Sequence, residues 1–333
     1  SSKITIESTK DSYESVKNSY MPKFNLGAGY SNNNYETSGY PRNSAKVEGS
    51  VDYTLYDGGK KDNIYDSYEA SIKKEGESLE DLKNQIAIQV TNYYYNYLSY
   101  VAQKEVKLQE IEQLEAQYVR LKKFLDAGTV TEDEVQKIIS NIQTAKVALH
   151  EIDLNIETIN HNLEYVIGKT VSIEKGSKID EYDSTQNKLR ADIKAIEYEL
   201  ESLKADAKAT KSGKLPKVSL NNTYSYNDLE YDNSSNFTKD YNRNIASVNL
   251  SWDIFDFDTT NKAYEAAYKK YLALKSQFEY EKNKANVDLK LALKSYEIGK
   301  LKIESAEAGV NAANSAYKTI KAKYEAGLID NVS

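Results

Sequence analysis

Hydrophobic and polar residues alternate strictly over residues 46–56, and a helical period begins directly after them. The apolar side of the alternating stretch is formed by Val47, Gly49, Val51, Tyr53 and Leu55. This alternation predicts a β-strand. Beyond a turn at 57–59, apolar residues recur in steps of three and four, at Leu82, Ile86, Val90, Tyr93, Tyr97, Val101, Leu108, Ile111, Leu114, Tyr118, Leu121 and Leu125. That spacing predicts one coiled-coil helix over 60–126, about 100 Å long at 1.5 Å per residue.

The same strand and helix occur a second time in the chain. Asp57 and Asp256, which follow the two strands, are 199 residues apart, and so are Gly128 and Gly327, which follow the two helices. The same separation relates Tyr97 to Tyr296 and Tyr118 to Tyr317. A long internal repeat determines the architecture, so the chain is predicted to be a duplication.

The first structural repeat is predicted to cover residues 1–168. An amphipathic approach helix ends at Met21-Pro22, because proline cannot continue a helix. A β-hairpin follows over 23–56, then the long helix 60–126, and a return helix over 131–167 that ends at a glycine.

The second repeat is predicted to cover 188–333, after a polar connector at 169–187. It has its own approach helix, a hairpin at 217–255 and a long helix at 257–325. The fold class is therefore α+β, with a duplicated β-hairpin and long coiled-coil helices.

Helix-capping residues mark the predicted helix starts. Asp57 and Asp256 are predicted N-caps of the two long helices. Thr131 followed by Glu134 is a capping-box pattern that opens the return helix. Asp330 occupies the place of Thr131 in the second repeat, which predicts that it caps a final helix beyond this sequence.

Composition argues against two ordinary globular domains. The 333 residues are 29% charged and only 40% hydrophobic, and tyrosines (29) far outnumber phenylalanines (6). A net charge of −7 makes a nucleic-acid partner improbable, and the absence of cysteine excludes disulfides and thiolate metal sites. No stretch approaches the ~18 apolar residues of a transmembrane helix, whereas transmembrane β-strands need only weak alternation.

Candidate chemistry is sparse. His150 and His161 are three helical turns apart, about 16 Å along a helix, so they cannot share a metal ion. We find no nucleophile–base pair, metal cluster or phosphate loop. The tyrosine run 93–95 is interpreted as helix packing. The sequence thus predicts no enzyme and no cofactor.

Four strands cannot close a barrel, and open sheet edges are not tolerated in lipid. If the strands span a membrane, the chain must oligomerise: two chains would give a filled barrel of eight strands, and three would give about twelve strands and a lumen. Small polar residues suited to a lumen lie opposite the apolar faces, at Asn25, Gly27, Gly29, Ser31, Asn221, Thr223 and Ser225.

At this point the chain resembles the TolC-type outer-membrane efflux proteins over nearly its whole length. The most specific features are Pro22 and Pro216 before the hairpins, the junction 55–59, and the turns 125–130 and 324–329. The resemblance implies a homotrimer with a 12-stranded β-barrel, four strands per chain, in the outer-membrane lipid of a Gram-negative bacterium. A periplasmic α-helical barrel would continue it, and a periplasmic adaptor (membrane fusion) protein and an inner-membrane RND or ABC transporter would be its partners.

The resemblance also implies a site at the periplasmic tip. Tyr324 matches a tyrosine that helps to close the tip, and Glu134 takes the position of an acidic partner. Ile329 replaces an expected arginine, so closure by apolar contact is an alternative. The implied adaptor-contact turns comprise Ala127, Gly128, Thr129, Val130, Ala326, Gly327, Leu328 and Ile329.

The implied function is that of a passive exit duct for a tripartite efflux or type I secretion system. Two other classes stay open at this level: a long-helix scaffold, which leaves the hairpins unexplained, and an adhesin-like surface protein that does not transport. Both glycine turns also fit the simpler interpretation of helix stops.

Overall fold

The computed structural model describes residues 2–35, 40–174, 176, 188–232 and 239–325. In chain order its elements are α1 (Ser2–Ser19), β1 (Lys23–Asn32), β2 (Asn43–Tyr56), α2 (Lys60–Asp126), α3 (Glu132–Ile167), α4 (Ala191–Lys211), β3 (Lys217–Glu230), β4 (Asp240–Ser251) and α5 (Thr259–Glu325). A short 3₁₀ turn, Ser212–Lys214, joins α4 to β3. The helices α2 and α5 both have 67 residues, so the duplicated elements have equal length.

Contacts divide the chain into two compact units, Ser1–Glu77 with Leu189–Ser333, and Ser78–Lys188. The predicted halves are defined by sequence repetition and not by contact, so the boundaries proposed at 168 and 188 stay predictions. Within the described residues, no α-helix combines the length and the apolarity that crossing a bilayer requires.

The four strands form one antiparallel sheet in the order β1-β2-β3-β4. In the first hairpin Lys23 pairs with Asp52, and in the second Lys217 pairs with Ser251. Lys217 lies 194 positions after Lys23, and Ser251 lies 199 positions after Asp52. The two hairpins therefore have the same register, which supports the duplication inferred from the sequence.

Each helix of the first unit contacts the next one along the chain, just as each strand pairs with the next strand. Near its N-terminus α2 contacts α1 through Tyr13, whose hydroxyl donates a 2.7 Å hydrogen bond to Glu69. Burial and this bond raise the pKa of Tyr13 to about 12. On another side α2 meets α4, where the Ser67 and Ser202 hydroxyls are 2.9 Å apart. Such small side chains let the helix backbones approach closely. The helix α4 in turn packs against α5.

In the second unit α3 runs back along α2. Its buried face consists of Val135, Ile138, Ile142, Ala145, Ile159 and Leu163. Two ion pairs join the helices, Lys104 with Asp153 at 2.7 Å and Lys146 with Glu115 at 2.8 Å. Since exposed ion pairs contribute little, the apolar seam stabilises this antiparallel pair.

The end of the second hairpin differs from the prediction. The strand was expected to run to Phe255, but β4 stops at Ser251 opposite Lys217. Pro216 precedes Lys217 and has no N–H to donate, so the ladder cannot extend along β3. The long helix likewise begins at Thr259 instead of residue 257, because Phe257 and Asp258 have the left-handed φ values of 50° and 66°.

The start of the return helix also differs. Thr131 is the N-cap residue, with extended backbone, but its side chain makes no capping hydrogen bond, so α3 begins at Glu132 without the predicted capping box.

At the hairpin ends that lie away from the helices, β2, β3 and β4 extend into the segments that were predicted to be loops. Polar cross-strand bonds carry these extensions, as between Asn43 and Glu230 at 2.6 Å.

We predict that Gly58, at the junction between β2 and α2, cannot be replaced without a large loss of stability. Its φ is +73°, and a Cβ there would lie 2.7 Å from both Leu215 Cβ and the Ser212 carbonyl oxygen. Gly59 has a similar φ of +78°, but its nearest contact would be Asn63 at 3.9 Å. Gly58→Ala should therefore lower the unfolding free energy by about 2–4 kcal/mol, against about 1–2 kcal/mol for Gly59→Ala.

Thermal unfolding followed by helical circular dichroism in detergent measures this difference. Equal melting temperatures for the two variants would mean that close packing at Gly58 contributes nothing.

Candidate functional site

One face of the sheet is polar from β1 to β4. At its centre the Asp52 carboxylate accepts hydrogen bonds from Asn25 on β1, at 3.1 Å, and from Asn221 on β3, at 2.7 Å. Lys46 and Glu48 form an ion pair beside them on β2. Hydroxyl and amide groups continue the surface, so it presents donors and acceptors that suit contact with water.

The opposite face carries most of the apolar side chains of the sheet, and its outer strands are exposed in the protomer. Phe24 and Leu26 on β1 are 79% and 85% exposed, and Val248 and Leu250 on β4 are 67% and 68% exposed. A contiguous apolar surface of this kind is rare on a soluble monomer and indicates contact with lipid or protein.

Within the described residues, β1 and β4 each have one neighbouring strand, so both outer edges of the sheet are unpaired. An edge of this kind carries a row of unsatisfied backbone N–H and C=O groups and is a template for pairing with another chain.

At the junctions between the strands and the long helices, Asp57 and Asp256 make equivalent hydrogen bonds to the helix backbone. The Asp57 carboxylate accepts from the backbone N–H of Lys61 at 2.8 Å, and Asp256 accepts from Thr260 at 2.9 Å. Both predicted aspartates thus cap the first turn of their helix through the side chain, although the helices begin at Lys60 and Thr259, so Gly59 and Asp258 are the flanking residues. The hydrogen bonds from Thr260 lower the pKa of Asp256, which keeps this cap ionised.

The turn after α2 has a complete Schellman geometry. The Gly128 N–H donates to the Leu125 carbonyl and the Thr129 N–H donates to Phe124, both at 2.9 Å, with Gly128 at φ +72°. The Thr129 hydroxyl adds a 3.0 Å bond to the Phe124 carbonyl. Residues 127–129 are exposed, and Val130 is partly exposed. The predicted helix stop is confirmed, and its surface is available for contact.

The predicted tip residues are located only in part. Glu134 lies in the first turn of α3 and is exposed to solvent. Tyr324 lies in the last turn of α5, but its side chain is outside the described part of the chain, as are Ala326, Gly327, Leu328 and Ile329. The gating role of Tyr324 and Glu134 therefore stays a prediction.

Over residues 1–169 and 185–333 the sequence matches the family described as outer membrane efflux protein. The chain belongs to this family. The assignment agrees with the sheet, its two unlike faces and the paired 67-residue helices. Among curated proteins, none matches the sequence significantly.

Solved outer-membrane proteins have the same fold at low sequence identity. The outer membrane protein VceC of Vibrio cholerae is 14% identical with a TM-score of 0.85, over 99% of this chain and 82% of its own. The CmeC channel of Campylobacter jejuni is 17% identical with a TM-score of 0.82, over 99% and 74%. The open-state MtrE channel of Neisseria gonorrhoeae is 15% identical with a TM-score of 0.79, over 97% and 75%.

Sequence reasoning did not single out Asp52, which links three strands of the efflux-protein sheet. The sequence did contain a signal for Asp52, because this residue places a carboxylate on the polar side of the alternating strand 46–56. Its partners were not deducible, since they depend on a register between distant strands.

In the described residues no group of histidine, cysteine, aspartate or glutamate could hold a metal ion.

Proposed function

We propose that this efflux protein is the outer-membrane exit duct of a tripartite efflux or type I secretion system. Three copies would close a 12-stranded barrel in the outer membrane, and their long helices would continue the duct through the periplasm. Substrates would pass through it without chemical change, delivered by a periplasmic adaptor and an inner-membrane RND or ABC transporter.

The sheet carries this proposal. Its four strands have one exposed apolar face, one hydrogen-bonded polar face and two open edges. In a bilayer every backbone group needs a partner, so these strands require further copies to close the sheet. Closure that directs the apolar face to lipid directs Asp52, Asn25 and Asn221 to a wet interior.

The strand count supports three copies over two. Eight strands enclose an interior just wide enough to be filled by side chains, whereas larger barrels leave a lumen. Three copies supply twelve strands, and a duct needs a lumen. The likeness to CmeC and MtrE, described as outer membrane channels, supports the same conclusion.

We expect the full-length protein in detergent to have the mass of a trimer and to conduct ions in planar bilayers. Native mass spectrometry and single-channel recording on one preparation measure both. A monomer that needs no detergent would indicate the scaffold function instead, and a membrane-bound oligomer without conductance would indicate the adhesin-like one.

The turn at Gly128 is proposed as part of the adaptor-contact edge, together with the repeat-related turn at Gly327. Nothing lies within 4 Å of a Cβ built on Gly128, so a substitution there is limited by its φ of +72° alone. A β-branched residue is strained in this conformation, whereas asparagine tolerates it. We expect Gly128→Val to weaken adaptor crosslinking at least several-fold and Gly128→Asn to leave it near wild type, with trimer mass unchanged.

Gly327→Val is expected to act like Gly128→Val, because the two glycines occupy the same place in the repeat. Normal docking of both valine variants would reduce the two turns to helix stops.

Tyr324 is proposed to narrow the closed tip, with Glu134 as an acidic neighbour. Tyr324→Ala should raise basal single-channel conductance, because three large side chains leave the constriction. Tyr317→Ala, two turns earlier on α5, is the matched control and should conduct like wild type. Wild-type conductance in Tyr324→Ala would place closure elsewhere.

A further inference from the structure

The two hairpins of this chain are copies whose pairing can be compared residue by residue. Moving from β1 to β3 adds 194 to a residue number, as from Pro22 to Pro216, and moving from β2 to β4 adds 199, as from Asp57 to Asp256. Under these shifts every pair of the first hairpin from Lys23–Asp52 outward becomes a pair of the second. The contact between β2 and β3 is thus a template for a contact between β4 and the β1 of another copy.

The inner end of β2 shows what that template requires. Residues 53–56 lie beyond the end of β1, and they are strand because β3 pairs with them on the other side, as Tyr53 does with Leu220. Residues 252–255 are their copies in the second hairpin, and they are not strand in the protomer. In the described chain they have no neighbouring strand of the kind that β3 supplies to β2.

From this comparison we infer the register of the seam between protomers: β4 pairs antiparallel with β1 of the next copy, with Val248 opposite Tyr30, and residues 252–255 become strand there. This inference rests on the proposed oligomer and specifies its interface. On one face it also pairs Leu250 with Ala28 and Trp252 with Leu26, and on the other Ser247 with Ser31, Asn249 with Gly29 and Ser251 with Gly27.

The chemistry of both edges agrees with this register. In the pairs named above, apolar residues meet apolar ones and serine or asparagine meets serine or glycine, so the two faces of the sheet continue across the seam; only at the outer end does Ala246 meet Asn32. A slip of one residue would direct the apolar set of one strand to the polar face of its neighbour. Slips of two residues preserve the faces, and only the duplication excludes them.

The bulge in the template leads to one further contact. Between Thr54 and Tyr56 the β2–β3 register shifts by one residue, so that Tyr56 pairs with Val218. Carried over, Phe255 pairs with Phe24 of the next copy. In the protomer these rings are 75% and 79% exposed, and the seam would bury them together.

Disulfide crosslinking tests this register, because none of these 333 residues is a cysteine. The double variant Tyr30→Cys with Val248→Cys, in the full-length protein in outer membranes, should oxidise to a covalent trimer on non-reducing gels. Ala28→Cys or Asn32→Cys combined with Val248→Cys should crosslink on the order of tenfold more slowly, because diagonal Cβ atoms are about 7–8 Å apart.

The matched control lies inside one chain. Gly49 and Tyr224 are the template positions of Val248 and Tyr30, and they pair in β2 and β3. Gly49→Cys with Tyr224→Cys should therefore lose its free thiols at a similar rate without any gain in mass.

Three outcomes decide the question. Faster crosslinking of a shifted pair would overturn the register while leaving the oligomer intact. Crosslinking at 30 and 248 without crosslinking of Phe24→Cys with Phe255→Cys would overturn the extension of the strand through 252–255. A protein that is monomeric by mass before oxidation would instead contradict the proposed function itself.

Discussion

Backbone hydrogen bonding at the edges of the sheet is the constraint on which the rest of the molecule depends. Pairing across β1-β2-β3-β4 satisfies the inner strands, but the outer edges of β1 and β4 have no partner in the described chain. Water can satisfy such groups, whereas lipid cannot. In lipid, a sheet with an exposed apolar face would therefore have to be completed by further strands, and the proposed strand at 252–255 follows from the same requirement.

The long helices meet their own partners through two different surfaces. In the first unit α2 meets α4 through serine and alanine, with Ser67 and Ser202 in direct hydroxyl contact. In the second unit its later turns meet α3 through branched apolar residues, and Ile111 is only 7% exposed. One continuous helix thus changes from a contact made by small side chains to a coiled-coil seam, and its heptad pattern is present only in that second part.

Sequence reasoning was most reliable where local chemistry decides the structure. The bounds of α2 agree to the residue, because an aspartate N-cap and a glycine at φ +72° determine its two ends. It failed where a distant neighbour decides: β4 stops at Ser251 since its partner begins after a proline. The proposed gate could be named only from a resemblance, because no local pattern distinguishes Tyr324 from the other tyrosines of α5.

The two copies of the junction show why a duplication need not remain symmetric. Gly58 has no room for a side chain, since Leu215 of the same protomer packs 2.7 Å from its Cβ position. At the equivalent place Phe257 adopts a left-handed φ of 50° and is 85% exposed. The first junction is shaped by a neighbour inside the chain, whereas the second is exposed in the protomer. The same difference separates Ile111, buried in its unit, from its copy Val310, which is 59% exposed. The second copy therefore exposes positions in the protomer whose equivalents in the first copy are covered within the chain.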